Sequence, residues 1–120
     1  SMLTTVEKNM ATQAAASATH PLDPLSAEEI VAVASILREA YDFGADLRFE
    51  TVELCEPAKD IVREFAAGMP IERVARFNIY KRGATGVWRG KVSLTEGKVT
   101  KVDFLPDVKP MISPEEFFLI

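Results

Sequence analysis

The chain has 120 residues and a mass of 13.2 kDa, which is enough for one domain that buries a core without disulfides or a structural metal. A net charge of −4 and an isoelectric point near 5.0 oppose nucleic-acid binding, and no apolar run is long enough to span a bilayer. The single cysteine, Cys55, excludes an internal disulfide. The single histidine, His20, excludes any site built from several imidazoles.

The first 19 residues are small and polar, and Ser1 before Met2 resembles the scar left by cleavage of an expression tag. An uncapped alanine-rich stretch of this length has little to hold it as a helix. We therefore predict a flexible N-terminal arm over residues 1–19. The absence of a basic segment followed by an apolar one favours a cytoplasmic location.

A helix is predicted from Ala27 to Tyr41. Ser26 and Glu29 have the spacing of a capping box, and Leu25 is placed to pack against Ile30. The apolar positions that we expect on its buried face are 30, 33, 34, 37 and 41.

The next elements are a strand and a short helix. Residues 49–54 read as a strand, with Val52 and Leu54 on one face and Phe49 and Thr51 on the other. Residues 58–65 have helical spacing and end before a glycine and a proline.

Alternating patterns then predict three consecutive strands over residues 74–82, 87–94 and 99–105, joined by short glycine-containing turns. These form an antiparallel meander, to which the strand at 49–54 adds a fourth member. We predict an α+β two-layer sandwich, with the helix at 27–41 laid across the apolar face of a four-stranded antiparallel sheet.

No group of residues forms a convincing catalytic site. His20 has no second ligand nearby in sequence and is expected to be an exposed residue rather than a metal ligand or general base. The paired carboxylates Glu28 and Glu29 suit the helix dipole and cap, and neither is expected to be buried. Glu115 and Glu116 follow Ser-Pro, which is also typical of a helix start.

A basic patch near aromatic residues raises the question of nucleic-acid binding. Arg89 and Lys91 alternate with Trp88, so phosphate contacts and base stacking would not share a surface, and a solvated sheet face is the preferred interpretation. The other members of this patch are Tyr80, Lys81 and Arg82. Cys55 lacks a neighbouring histidine or helix start that would activate it, and we interpret it as a structural thiol. The sequence thus predicts no catalytic, cofactor-binding or metal-binding residues.

Three motifs carry a family resemblance. The first is HPLDPLS at residues 20–26, followed by AEEI at 27–30. The second, VELCEPAK at 52–59, is similar to the pattern Val-x-Leu-x-Glu-Pro-x-Lys. The third is LPDVKP at 105–110, followed by EEF at 115–117. In this order the motifs resemble the beginning of copper-containing primary amine oxidases.

The resemblance implies an N-terminal, N2-type accessory domain with a cystatin-like fold over residues 20–110. Residues 111–120 would then start a linker or following domain that is truncated here. The parent enzymes use copper and topaquinone to convert primary amines to aldehydes, with release of ammonia and hydrogen peroxide. The implied partners are the catalytic domain and the second small domain of the parent enzyme. Neither nucleic acid nor a membrane is an expected partner.

The departures from the family pattern concern chemistry. Neither Tyr41 nor Tyr80 lies in the Asn-Tyr-Asp/Glu triplet from which the quinone forms, and one histidine cannot replace three copper ligands. The chain alone is therefore expected to be non-catalytic, without a cofactor of its own. The alternative is a free-standing cystatin-like binding module, although the Gln-x-Val-x-Gly hairpin of the inhibitors is missing. A small enzyme acting through His20 or Cys55 is a third hypothesis. The apolar residues of 111–120 predict self-association.

Overall fold

The computed structural model describes residues 5–110. Its helices are α1 (Thr5–Ala16), α2 (Ala27–Ala40) and α3 (Lys59–Glu64), and a 3-10 turn spans Gly44–Asp46. Its strands are β1 (Leu47–Leu54), β2 (Val74–Lys81), β3 (Val87–Ser93) and β4 (Lys98–Leu105). The predicted elements are therefore present within a few residues of their expected bounds.

The four strands form one antiparallel sheet in the order β1-β2-β3-β4. Ala75, Phe77 and Ile79 alternate along β2 and are fully buried against the helical layer. Short turns join the last three strands, and Gly97 takes a φ of 70° in the β3–β4 turn, a conformation that glycine adopts readily. The α+β architecture predicted from the alternating pattern is confirmed.

The start of α2 is the predicted capping box. The Glu29 amide donates to Ser26 Oγ (3.1 Å), and the Ser26 amide donates to Glu29 Oε1 (3.0 Å). The predicted buried face is partly wrong, because Ile30 is 42% exposed. The helix instead turns the side of Glu29 inward, where a buried arginine neutralises it. The residues of this inward face are Glu29, Ala32, Val33, Ile36 and Leu37.

The predicted flexible arm is wrong over Thr5–Ala16, which forms α1 and packs beside α2. Ala11 is fully buried and Ala15 is 5% exposed, and both belong to the core. Thr12 Oγ1 donates to the Thr95 carbonyl in the β3–β4 turn (3.2 Å). Small alanine side chains let α1 approach closely, and this packing stabilises a helix that would be marginal in isolation.

The predicted faces of β1 are wrong at Phe49, whereas Val52 and Leu54 lie on one face and Thr51 on the other, as predicted. Phe49 pairs with Ile79 and Thr51 pairs with Asn78, so Glu50 is an extra residue in the strand. Such a β-bulge shifts the alternation by one residue. As a result, Phe49 and Val52 both pack against the core, although the simple alternation places them on opposite faces.

The predictions for residues 111–120 concern a segment that lies outside the described residues. They include the helix start at Glu115 and Glu116, the apolar association surface and the truncated linker. The domain boundaries at residues 20 and 110 stay predictions.

Candidate functional site

A fully buried arginine, Arg73, lies directly before β2. Arg73 Nε donates to Glu29 Oε2 (2.9 Å), and Arg73 Nη2 donates to Glu29 Oε1 (2.8 Å). This is the two-bonded geometry in which a planar guanidinium recognises a carboxylate best. Both side chains are almost completely inaccessible to solvent. The pair therefore joins the first turn of α2 to the sheet.

The same guanidinium holds the segment before α2. Its Nη2 donates to the Pro24 carbonyl (3.1 Å) and its Nη1 to the Pro21 carbonyl (3.5 Å). We call Glu29, Arg73 and these two carbonyls the clasp. The clasp explains why the chain can run through two closely spaced prolines and still be fixed at the domain surface.

An aspartate organises the same segment from within. The Asp23 carboxylate accepts hydrogen bonds from the amides of Thr19 and His20, both at 3.0 Å, and from Thr19 Oγ1 at 3.1 Å. The hydrogen bond from the Thr19 amide is the main cause that lowers the pKa of Asp23. These contacts give the HPLDPLS motif a structural role.

Burial and the neighbouring positive charge shift the pKa of Glu29 in opposite directions. Burial is the largest single influence and raises the pKa of its carboxyl group. The hydrogen bonds from Arg73 and Ser26, together with the positive charge of Arg73, outweigh burial, so the net pKa is lowered. Glu29 is therefore a buried, ionised carboxylate whose hydrogen-bonding capacity serves the clasp. It is not poised as a general acid.

A groove of about 470 Å³ lies beside α3, on the sheet face opposite α1 and α2. Ile61 of α3, Phe65 directly after α3 and Val74 of β2 line it. Polar groups border it on the β3 and β4 side. The other residues that line it are Pro21, Cys55, Glu56, Pro57, Ala58, Met69, Pro70, Ile71, Glu72, Lys91, Ser93 and Thr100.

A row of cations crosses the same sheet face next to the groove. Arg76, Lys91 and Lys101 are neighbours across β2, β3 and β4, and we call them the cation row. Arg76 Nη1 lies 4.0 Å from Glu53 Oε1. Within residues 5–110, neither lysine of the row has a carboxylate within ion-pair distance. Like charges on facing residues are unfavourable, so this row suits an anionic partner.

The predicted exposure of His20 is wrong, because its side chain is half-buried. Its Nδ1 accepts a hydrogen bond from the Leu22 amide (3.0 Å), and its ring packs edge-on against Phe65 (5.4 Å). Among the described residues, no three His, Cys, Asp or Glu side chains lie close enough together to bind a metal ion.

The expectation that neither Glu28 nor Glu29 is buried holds for Glu28 and is wrong for Glu29. Sequence reasoning explained Glu29 through the capping box and did not find Arg73, its partner in the clasp. No local pattern identifies that partner, because Arg73 lies 44 residues away in sequence.

The predicted separation of Trp88 from Arg89 and Lys91 is confirmed by the register, which places them on opposite sheet faces. Trp88 packs between Phe43 (4.8 Å) and Phe104 (4.3 Å). At the other end of the patch, Tyr80 is buried, Lys81 is exposed and Arg82 pairs with Asp46 (3.4 Å). The aromatic rings and the cations therefore do not form a common nucleic-acid surface.

Copper and a tyrosine-derived quinone do not fit the described residues. His20 is the sole imidazole of the chain, and its Nδ1 is engaged by the backbone. Tyr41 is half-buried among Phe43 and Trp88, and burial raises its pKa. Cys55 is a free, half-buried thiol with Arg76 Nη2 4.0 Å from its sulfur.

By this geometry the chain is a small α+β domain that a buried ion pair stabilises and that has an open groove on one sheet face. A family model described as the AGAO-like N2 domain matches residues 26–102, and the chain belongs to this domain family.

Relatives of known name extend the match beyond that range. The chain is 34% identical over 110 residues to a primary amine oxidase of Arthrobacter sp. (strain P1), which covers 91% of this chain and 16% of the relative. It is 32% identical over 100 residues to the copper amine oxidase-like protein cao2 of Schizosaccharomyces pombe, which covers 79% of this chain and 12% of the relative. The chain thus spans about one sixth or less of these curated relatives. Within residues 5–110, no helix combines the length and apolar character needed to cross a membrane.

Proposed function

We propose that this chain is a non-catalytic accessory domain of a copper- and topaquinone-dependent primary amine oxidase. In this proposal the domain has a cystatin-like fold. Its partners are the catalytic domain and the second small domain of the parent enzyme. The domain packs against that enzyme and shapes access to the active-site entrance. The parent reaction converts a primary amine, oxygen and water to an aldehyde, ammonia and hydrogen peroxide.

One observation carries the proposal. The first of the three motifs that resemble the oxidases, His20 to Ser26, serves the clasp and the cap of α2. Asp23 binds amides of its own loop, the carbonyls of Pro21 and Pro24 bind Arg73, and Ser26 caps the helix. A motif used in this way maintains a fold. It supports a domain that contributes architecture to a longer enzyme and leaves chemistry to other parts.

The first experiment tests the non-catalytic role. The purified chain is loaded with Cu²⁺, desalted, and analysed for retained copper and for hydrogen peroxide production from methylamine, with His20→Ala as the control variant. We expect substoichiometric copper and no peroxide, because one imidazole is a weak copper site by itself. Stoichiometric copper that disappears in His20→Ala, or peroxide formation at any copper content, would overturn the proposal.

The second experiment tests the accessory role. The chain replaces the matching segment of the Arthrobacter primary amine oxidase, and the chimera is compared with the same chimera carrying Arg73→Met. We expect the first chimera to be soluble and to oxidise amine, and the second to lose soluble yield because its clasp is broken. A chimera that is active whether or not the inserted domain can fold would contradict an architectural role.

The coding DNA downstream of Ile120 separates the accessory domain from the free-standing binding module. A reading frame that continues into an Asn-Tyr-Asp/Glu triplet and a His-x-His pair supports the accessory domain. A stop codon directly after Ile120 supports the binding module. The cytoplasmic location stays a prediction, which cell fractionation of the source organism would test.

A further inference from the structure

The groove and the cation row form one continuous surface that the described residues leave open. Lys91 belongs to both, since it lines the groove and stands at the centre of the row. Ile61 is 56% exposed and Met69 is 47% exposed, so apolar side chains of the groove are accessible to solvent. A partner that fits this surface needs carboxylates next to bulky apolar side chains.

The chain itself contains such a segment just after the described residues. Residues 115–118 read Glu-Glu-Phe-Phe, and residues 111–120 contain two acidic and no basic side chains. We propose that residues 113–118 dock along the open sheet face, with Glu115 and Glu116 on the cation row and Phe117 and Phe118 in the groove.

The length of the segment permits this arrangement. The Gly86 amide donates to the Val108 carbonyl (3.1 Å), so the chain leaves the sheet at the end opposite the groove. From Gly86 to Ser93 the face is about 23 Å long, at roughly 3.3 Å per strand residue. From Val108 to Phe117 an extended chain reaches about 30 Å.

The reach also holds if the segment begins a helix. With residues 108–113 extended and 113–118 helical, the span is roughly 24 Å. In both cases the carboxylates arrive at the cation row before the aromatic side chains reach the groove. The order of charges and apolar groups along the segment therefore matches their order along the face.

The native Cys55 thiol lines the groove and provides a reporter. Phe118→Cys is introduced into the full chain, the protein is oxidised at low concentration with diamide, and disulfide formation is followed by non-reducing electrophoresis and mass spectrometry. Phe117→Cys serves as a second probe of the segment. The control is Ala40→Cys, an exposed position at the last residue of α2, in the opposite layer.

We expect an intramolecular disulfide from Phe118→Cys or Phe117→Cys at least about tenfold faster than from Ala40→Cys. Neutralising Lys91 and Lys101 to Gln should slow it about fivefold, since two facing ion pairs are lost, and added salt should act in the same direction. The matched pair Lys81→Gln and Arg82→Gln changes the net charge equally at the far end of the sheet and should leave the rate unchanged.

Three outcomes would overturn the proposal. One is bridging no faster than in the Ala40→Cys control, and another is equal slowing by the two neutralised pairs. The third is a disulfide that forms only between two molecules, which would assign the groove to the segment of a second copy. None of these outcomes bears on copper binding or peroxide formation, so the proposed accessory role would be judged separately.

Discussion

The two faces of the sheet differ in how completely other residues of the chain cover them. On the face below α2, Ala75, Phe77 and Ile79 are completely buried, and the chain supplies everything that covers them. The opposite face carries the cation row and an apolar groove that described residues do not fill. The covered face therefore serves the stability of the domain, whereas the open face is available to the partner proposed above. Substitutions on the two faces should have very different costs.

Loss of the clasp is expected to have the largest effect. Arg73→Met leaves the Glu29 carboxylate buried without its partner, and we expect the free energy of unfolding to fall by about 3–5 kcal/mol. The open-face counterpart Arg76→Met removes an exposed ion pair and should cost less than about 1 kcal/mol. Urea unfolding followed by circular dichroism measures both. Equal losses would show that the two faces do not differ in this way.

The double variant Glu29→Met/Arg73→Met sharpens the same test. Because neither charge is then left alone, it should lose less stability than Arg73→Met by itself. Additive losses would mean that the two side chains act independently, against the geometry of the clasp.

A methyl group added to β3 at Gly90, next to the core residue Phe77, should have the next largest effect on stability. In Gly90→Ala the new Cβ would collide with the Lys101 carbonyl and lie 3.0 Å from the Phe77 ring, so we expect a loss of about 1–3 kcal/mol. On the open face, Lys91→Ala should change stability by less than about 0.5 kcal/mol. Thermal unfolding of both variants is the measurement, and a loss from Lys91→Ala that matches Gly90→Ala would refute the contrast.

The cap of α2 contributes a smaller amount to the covered face. Ser26→Ala removes the acceptor for the Glu29 amide and should cost about 1 kcal/mol. Ser35→Ala, in the middle of the same helix, should be neutral or slightly stabilising, because alanine has the higher helix propensity. Chemical denaturation of the two variants compares them directly, and an unchanged midpoint in Ser26→Ala would contradict the role of the cap.

Acid should produce the smallest change, because burial offsets part of the lowering of the Glu29 pKa that Arg73 and Ser26 cause. The pKa of Glu29 in the folded chain is lower than its ordinary value of 4.5, so the unfolded chain binds more protons between these two values. The contribution of Glu29 is therefore complete above about pH 4.5 and is lost as the pH falls through the folded pKa. Urea midpoints from pH 7 to pH 3 should fall less steeply in Glu29→Gln, and parallel curves would contradict this linkage.

Local patterns predicted those parts of the fold that depend on local physics. The alternation of Phe77 and Ile79 identifies a half-buried strand, and the spacing of Ser26 and Glu29 identifies a helix start. The turn at Gly97 follows from the need for a positive φ. Each of these signals acts over a few residues, so a single sequence contains the whole cause.

The predictions failed where the cause is distant in sequence. The core position of Ala11 depends on α2 and on the β3–β4 turn, and nothing in an alanine-rich segment specifies such partners. The bulge at Glu50 changes the face of Phe49 without a glycine or proline to mark it. The clasp joins residues 44 positions apart, and the groove needs α3 and three strands in place. For these reasons the candidate site was not predictable from the sequence, which identified Glu29 only as part of the helix cap.

The sequence distance across the clasp also bears on folding kinetics. The contacts of Arg73 with Pro21 and Glu29 span 52 and 44 residues, so they close a large loop and form only after helix and sheet have met. Interactions that form after the transition state slow unfolding and have little influence on the folding rate. The clasp should therefore slow unfolding. Its removal should raise the unfolding rate and shorten the lifetime of the native state, while the refolding rate stays nearly the same.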